Sequence, residues 1–153
     1  MQVVEQWARE WGVPAAALQD LCRRLTTSED RLPSGASEAR AQQEVRLEAS
    51  QAGARMWRNN VGAYKTDDGG LVRYGLCNES QVMNQHFKSA DLIGITPREI
   101  GGRVVGVFTS IEVKRPGWKY TGAGREAAQM QWAIMVQSLG GLASFSTGEF
   151  NVL

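Results

Sequence analysis

Apolar and polar positions along this chain follow two periods, and the switches between them mark out its elements. Ser37 can cap a helix predicted over Glu38 to Ala52, built from good helix formers and stopped by Gly53. Glu44, Leu47, Glu48 and Gln51 share one face of it. Met56 to Val61 then reads as a strand, Asp67-Asp68-Gly69-Gly70 as a turn, and Leu71 to Tyr74 as a second strand. Gly75 to Ser89 is polar and without period, and it holds the single histidine, His86. Asp91 to Ile95 is a short apolar strand opened by an acid, with Thr96-Pro97 beginning the turn toward Gly101-Gly102.

The run from Val104 to Val113 is rich in Val and Ile and reads as an interior strand. Its period of two puts Val105, Val107, Ile111 and Val113 on one face, and Phe108, Ser110, Glu112 and Lys114 on the other. A loop of cations, aromatics and glycines follows, from Arg115 to Gly122. Arg125 to Leu139 is a predicted helix with Ala128, Trp132, Met135 and Leu139 inward and Gly140-Gly141 as its stop. Leu142 to Phe145 reads as a last short strand before a frayed tail.

At the other end, Val3 to Leu25 is predicted as two helical pieces. Val4, Trp7, Ala8 and Trp11 form a stripe, Gly12 breaks the first piece, and Pro14 opens the second. Through Ser34 this prefix carries four basic and five acidic residues, so it is no DNA-binding arm, and Trp7 and Trp11 are expected to pack. Thr26 to Ala36, with Pro33-Ser34-Gly35, is a polar linker. The predicted organisation is therefore a helical prefix and linker, residues 1–34, before one domain, residues 35–153.

Composition narrows the class without fixing a function. A chain of 153 residues, 42% apolar and 22% charged, suits one soluble α/β domain with a real core. The net charge of +1 excludes a strongly basic, coat-like binder, yet 17 Lys and Arg suffice for a local phosphate-binding face. Cys22 and Cys77 lack the spacing of a zinc or disulfide framework, so both read as structural and a reducing compartment is expected. No apolar run approaches the ~18 residues of a membrane span and no basic-then-apolar leader opens the chain, so the expected place is the cytoplasm.

Chemistry concentrates at Glu112 and Lys114. An acid and a base ending an interior strand on one face form either an ion pair or a metal-binding carboxylate beside a lysine that handles water. Asp91 opens a strand as Glu112 closes one. If the two strands are neighbours joined at Gly101-Gly102, both carboxylates reach one ion, and oxygen ligands from separate strands suit Mg²⁺ or Mn²⁺.

Taken in order, Glu44, Trp57-Arg58-Asn59-Asn60-Val61-Gly62, Asp91-Leu92-Ile93-Gly94, Glu112-Val113-Lys114-Arg115-Pro116-Gly117 and Gln129-Met130-Gln131-Trp132 followed by Gly140 resemble the VRR-NUC family of the PD-(D/E)XK nucleases. The match covers roughly residues 37 to 146, and Arg73-Tyr74-Gly75-Leu76-Cys77-Asn78 is similar to the stand-alone phage members. Where the family has a Gly- or Pro-containing turn before the strand Asp, this chain has Lys88-Ser89-Ala90, with a polar insert from Glu79 to Phe87 upstream.

The resemblance implies a restriction-endonuclease-like core, a mixed β-sheet flanked by helices. It implies a metal-dependent DNA endonuclease of viral or prophage source, selective for branched DNA such as a Holliday junction, acting as a homodimer in the host cytoplasm. By the family pattern Asp91, Glu112 and the Val113 carbonyl hold Mg²⁺ or Mn²⁺, and Lys114 serves the water and the phosphate. Gln129 positions Lys114 or the phosphate, and Glu44, in preference to Glu48 or Glu38 by its spacing to Trp57, completes the shell. Arg58, Arg115 and Lys119 are the backbone-contact candidates, with Trp118 and Tyr120 packing sugars or the loop. The rival reading of another class is a catalytically silent DNA-binding or regulatory module on the same fold.

Overall fold

The computed structural model describes residues 7–17 and 36–152. Its elements are a helix α1 (Glu38–Gln51), strands β1 (Arg55–Arg58), β2 (Gly62–Lys65) and β3 (Leu71–Tyr74), a short helix α2 (Gln81–His86), strands β4 (Leu92–Ile100) and β5 (Arg103–Val113), helix α3 (Gly124–Ser138) and strand β6 (Leu142–Ser146). Four strands form a mixed sheet in the order β1-β4-β5-β6, antiparallel except for the parallel β5–β6 pair, while β2 and β3 form a separate ribbon.

The centre of the sheet is the β4–β5 hairpin. Ile100 pairs with Arg103, so Gly101 and Gly102 alone make the turn, both at positive φ (58° and 74°), the conformation a two-residue hairpin requires. β4 was expected to end at Thr96-Pro97, but it runs through both to Ile100. β1 reaches only as far as Ile95, so Pro97 lies on a free strand edge, where a missing N–H is tolerated. β6 pairs only from Thr109 onward, which leaves residues 96–107 as an arm projecting beyond the four-stranded region.

Each face of the sheet has its own helix. Ala41, Val45 and Ala49 of α1, at helical spacing, close on Met56, Leu92, Ile111 and Val113. Ser37 caps this helix, its Oγ accepting from the Arg40 N–H at 3.2 Å. On the other face Trp132, Ala133 and Val136 of α3 pack on Ala90, Ala143 and Phe145. Leu139, expected inward, is 81% exposed beyond the end of α3, because the chain turns away there into Gly140-Gly141.

Three other stretches differ from the sequence expectation. The irregular segment before β4 contains α2, capped by Ser80 Oγ, which accepts from Met83 N at 3.0 Å. β1 stops at Arg58, and the Asn59 side chain instead donates to Ser89 Oγ and the Ala90 carbonyl. The tail after β6 is tied down: Phe150 and Val152 pack on the α1 side of the core, and the Phe150 N–H donates to Glu48 Oε2 at 2.9 Å.

Within the expected prefix, residues 7–10 and 15–17 are helical, and Gly12 breaks them at φ 63°. Ala8 is buried, but Trp7 and Trp11 are exposed rather than packed. The expected linker, Cys22 and most of the second predicted helix lie outside the described residues. Among those described, no helix is long and apolar enough to cross a membrane.

Gly94 tests this architecture, because β1 passes directly over it. A Cβ there would sit 2.0 Å from the Arg55 carbonyl oxygen and 2.6 Å from Met56 Sδ. Gly94→Ala is expected to cost at least the ~1–3 kcal/mol of an overpacked core, read as a lower Tm, whereas Gly53→Ala at the end of α1 meets no atom within 4 Å and carries only the ~1–2 kcal/mol of an alanine held at φ 79°. An unchanged Tm for Gly94→Ala would refute the close β1–β4 approach.

Candidate active site

Asp91 precedes Leu92, which pairs with Ile111, so one further antiparallel step sets Asp91 across from Glu112 on the α3 face of the sheet. Asp91 is held from both neighbours: Asn59 N, beyond β1, donates to its carbonyl at 2.7 Å, and the Val113 N–H of β5 donates to its Oδ2 at 3.0 Å. The hairpin thus delivers two carboxylates to one place.

Glu112 is 4% exposed, and its two oxygens have different surroundings. Oε1 accepts from Lys114 Nζ at 2.9 Å and from Gln129 Nε2, while Gln129 Oε1 accepts from Lys114 Nζ at 2.9 Å. The three side chains close a triangle. Gln129 is itself buried on α3, and the donors around it leave one orientation for its amide. Oε2 is buried and has no hydrogen-bond partner among the described residues.

Electrostatics follow from that placement. Burial pushes the Glu112 carboxyl up to about 7 from an ordinary 4.5; the Asp91 charge adds to the push, and Lys114 and Arg125 oppose it. Burial also raises Asp91, partly offset by the Val113 N–H, Lys114, Arg125 and, when one of the two acids carries a proton, a side-chain hydrogen bond with Glu112. Two facing carboxylates, each short of compensation, with a bare buried oxygen between helix and sheet, fit a divalent cation that takes oxygen ligands. Asp91 and Glu112 are the residues that would hold it. No third His, Cys, Asp or Glu joins them among the described residues, so such an ion would keep water or substrate oxygens in its remaining positions.

The other candidates are placed differently. Glu44 is half-buried beside Met56 and Trp57 in a cleft of α1 and β1, with no hydrogen bond or ion pair to the carboxylate pair among the described residues. Glu48 is engaged by the tail at Phe150. Val113 enters through its N–H to Asp91. Arg58 lines a surface cleft with Glu38, Gln42 and Arg46; Arg115 flanks another with Ser37 and Glu38, and both arginines and Lys119 are exposed.

Trp118 stacks on Phe145 (centroids 5.1 Å apart, interplanar angle 8°), donates to Glu126 Oε1 at 2.6 Å, and lies 5.7 Å from Lys114 Nζ. Tyr120 leans on the same Phe145. Both aromatics therefore pack the loop onto the sheet, and through it steady Lys114. Two cations near the carboxylates were not singled out from sequence, Lys88 and Arg125. The available signal was position alone: Lys88 is three residues before Asp91, and Arg125 is one helical turn before Gln129.

Comparison of the chain with models of protein families, with curated proteins and with solved structures finds no match.

Glu112 gives the site a signed pH dependence. An acid whose folded pKa exceeds its unfolded value binds more protons when folded, so the stability it contributes is full below 4.5 and is lost as pH rises through about 7. A shift of that size is worth roughly 3 kcal/mol. Glu112→Gln is therefore expected to raise the Tm of the metal-free protein clearly at about pH 8 and much less at about pH 5. An equal gain at both values would show that buried charge is not the cause.

Proposed function

We propose that the chain is a Mg²⁺- or Mn²⁺-dependent DNA endonuclease of the PD-(D/E)XK type, with a restriction-endonuclease-like core similar to the VRR-NUC nucleases. The observation that carries this reading is Glu112, its Oε1 fixed by Lys114 and Gln129 and its Oε2 bare and buried opposite Asp91. An ion pair formed only for stability would have no use for a second carboxylate across the strand or for an unsatisfied oxygen.

Phosphodiester hydrolysis needs a nucleophilic water, neutralised charge on the phosphate and help for the departing oxygen. Asp91 and Glu112 would hold a divalent ion, which would supply Lewis acidity toward the phosphate. This chain's own residues do the positioning. Lys114, held between Glu112 and Gln129 and only 15% exposed, presents its ammonium at a fixed point, where it orients the water and offsets phosphate charge. Gln129 fixes both partners from α3 and is a positioning residue. The Val113 N–H sets the angle of the Asp91 carboxylate. Arg58, Arg115 and Lys119 are exposed, where they can take backbone phosphates further along the DNA.

The substrate we assign is branched DNA, and the active form a homodimer, since one small domain carries one site and a two-fold symmetric junction needs two cuts.

Cleavage of labelled four-way junctions and linear duplex with Mg²⁺ or Mn²⁺ tests the chemistry. Asp91→Ala, Glu112→Ala and Lys114→Ala are each expected to lower the rate by about a hundredfold or more while leaving the domain folded, and EDTA to abolish cutting. Glu44→Ala should be milder. Full activity in EDTA, or an undiminished Glu112 variant, would sink the reading. Light scattering checks the dimer; a monomer at micromolar concentration that cuts duplex as fast as junction would refute the assembly and the preference together.

A further inference from the structure

Lys88 has no part in the chemistry above, yet both its backbone and its ammonium are held. Its backbone N–H donates to the Ala128 carbonyl of α3 at 3.1 Å, and its ammonium donates to Asn84 Oδ1 at 2.5 Å. Asn84 Nδ2 donates in turn to Asn78 Oδ1 at 2.9 Å. Asn78 is 3% exposed and saturated: its Nδ2 donates to the Gly62 and Tyr74 carbonyls at 2.7 and 2.9 Å, and Arg73 Nη1 also donates to its Oδ1 at 3.4 Å. A relay of buried and half-buried amides therefore runs from the β2–β3 ribbon to Lys88.

Fixing a lysine in this way sacrifices up to about 2 kcal/mol of rotamer entropy, so the position answers some need. Arg125 stands exposed on the first turn of α3, four residues before Gln129 and so on the same helix face. Burial and the Arg125 charge both disfavour the Lys88 ammonium, while Glu112 supports it; Arg125 in turn opposes the upward shifts of Asp91 and Glu112. Among the described residues, however, neither cation is in an ion pair; Lys114 alone neutralises Glu112 directly. Two like charges gathered beside an occupied carboxylate repel each other until an anion lies between them.

We infer that Lys88 and Arg125 form a phosphate clamp beside the Asp91–Glu112 pair, taking the non-bridging oxygens of a nucleic-acid phosphodiester, with Lys88 set in place by the Asn78–Asn84 relay. The clamp rests on the nuclease reading for its substrate and differs from Arg58, Arg115 and Lys119 in that one of its cations, Lys88, is pre-positioned.

Its test needs no chemistry. Binding of a labelled duplex to the full chain in EDTA is measured over about 50 to 200 mM KCl. Removing one cation that neutralises a phosphate lowers the slope of log affinity against log salt by about 0.9. Lys88→Met and Arg125→Met are each expected to show that drop, so that affinity falls roughly threefold less across the salt range than in the unaltered protein. Lys88→Arg should keep the slope, which a purely structural lysine would not require. Arg103→Met, at the exposed hairpin turn, should change nothing. Asn84→Ala should weaken binding at low salt with the Tm preserved.

Unchanged slopes in both Met variants overturn the clamp even if the unaltered protein cuts DNA normally, and absence of DNA binding at 50 mM KCl overturns it as well. Reduced slopes in a protein that never cuts DNA sustain the clamp while removing the nuclease chemistry.

Discussion

The structure depends on keeping a carboxylate ionisable inside a sheet. Glu112 stands on an interior strand under a helix, where an uncompensated charge is costly, and the chain compensates only half of it. Lys114 and Gln129 satisfy Oε1 and leave Oε2 bare. A fully satisfied carboxylate would be more stable and would have nothing left to offer a ligand. A half-satisfied one persists only if its neighbours cannot relax onto the free oxygen, and here they are fixed independently: Gln129 by α3, Lys114 by the β5–β6 pairing of its N–H with the Ser146 carbonyl at 2.8 Å and by Trp118 beneath it.

Register is the second constraint, and it acts through one turn. With Gly101-Gly102 closing the hairpin, residues pair so that Asp91 meets Glu112. A slip of one position would bring Asp91 opposite residue 111 or 113, whose side chains lie under α1, and would separate the two acids by the thickness of the sheet. Such slips are resisted along the whole hairpin, because Leu92 and Ile111 are fully buried and Thr96 and Thr109 share a buried hydroxyl contact at 2.6 Å. The site is therefore held by core packing several residues away from it.

Local signals made the parts legible in sequence, and long-range contacts hid the rest. The period of two exposes Glu112 and Lys114 on one face, Ser37 and Gly53 bound α1, and Gly101-Gly102 announces a two-residue hairpin. The mixed α/β architecture follows from those alone. Pro97 was misleading because its meaning depends on whether a neighbour strand extends beside it, which no window of sequence reveals. α2 and the tail are stabilised by side-chain hydrogen bonds, local ones at Asn78–Asn84 and Ser146 and one across the fold from the Phe150 N–H to Glu48, so their order leaves no periodic trace. Lys88 is an ordinary polar residue in sequence and meets α3, the helix of Arg125 and Gln129, only when the segment before β4 docks there through its N–H and the Ala128 carbonyl.

The two faces of the sheet divide stability from chemistry. The α1 face is dry and closely packed through Ala41, Val45 and Ala49, and the tail seals it by giving Glu48 the Phe150 N–H. The α3 face carries the buried polar atoms, among them Glu112, Gln129 and Ser110, whose Oγ accepts from Trp132 Nε1 at 2.8 Å. Close packing on one face lets the other carry unsatisfied and like-charged groups without unfolding the sheet between them. Shared strands make this division workable: Ile111 and Val113 anchor β5 beneath α1, and the alternation of the same strand holds Glu112 and Lys114 on the opposite face.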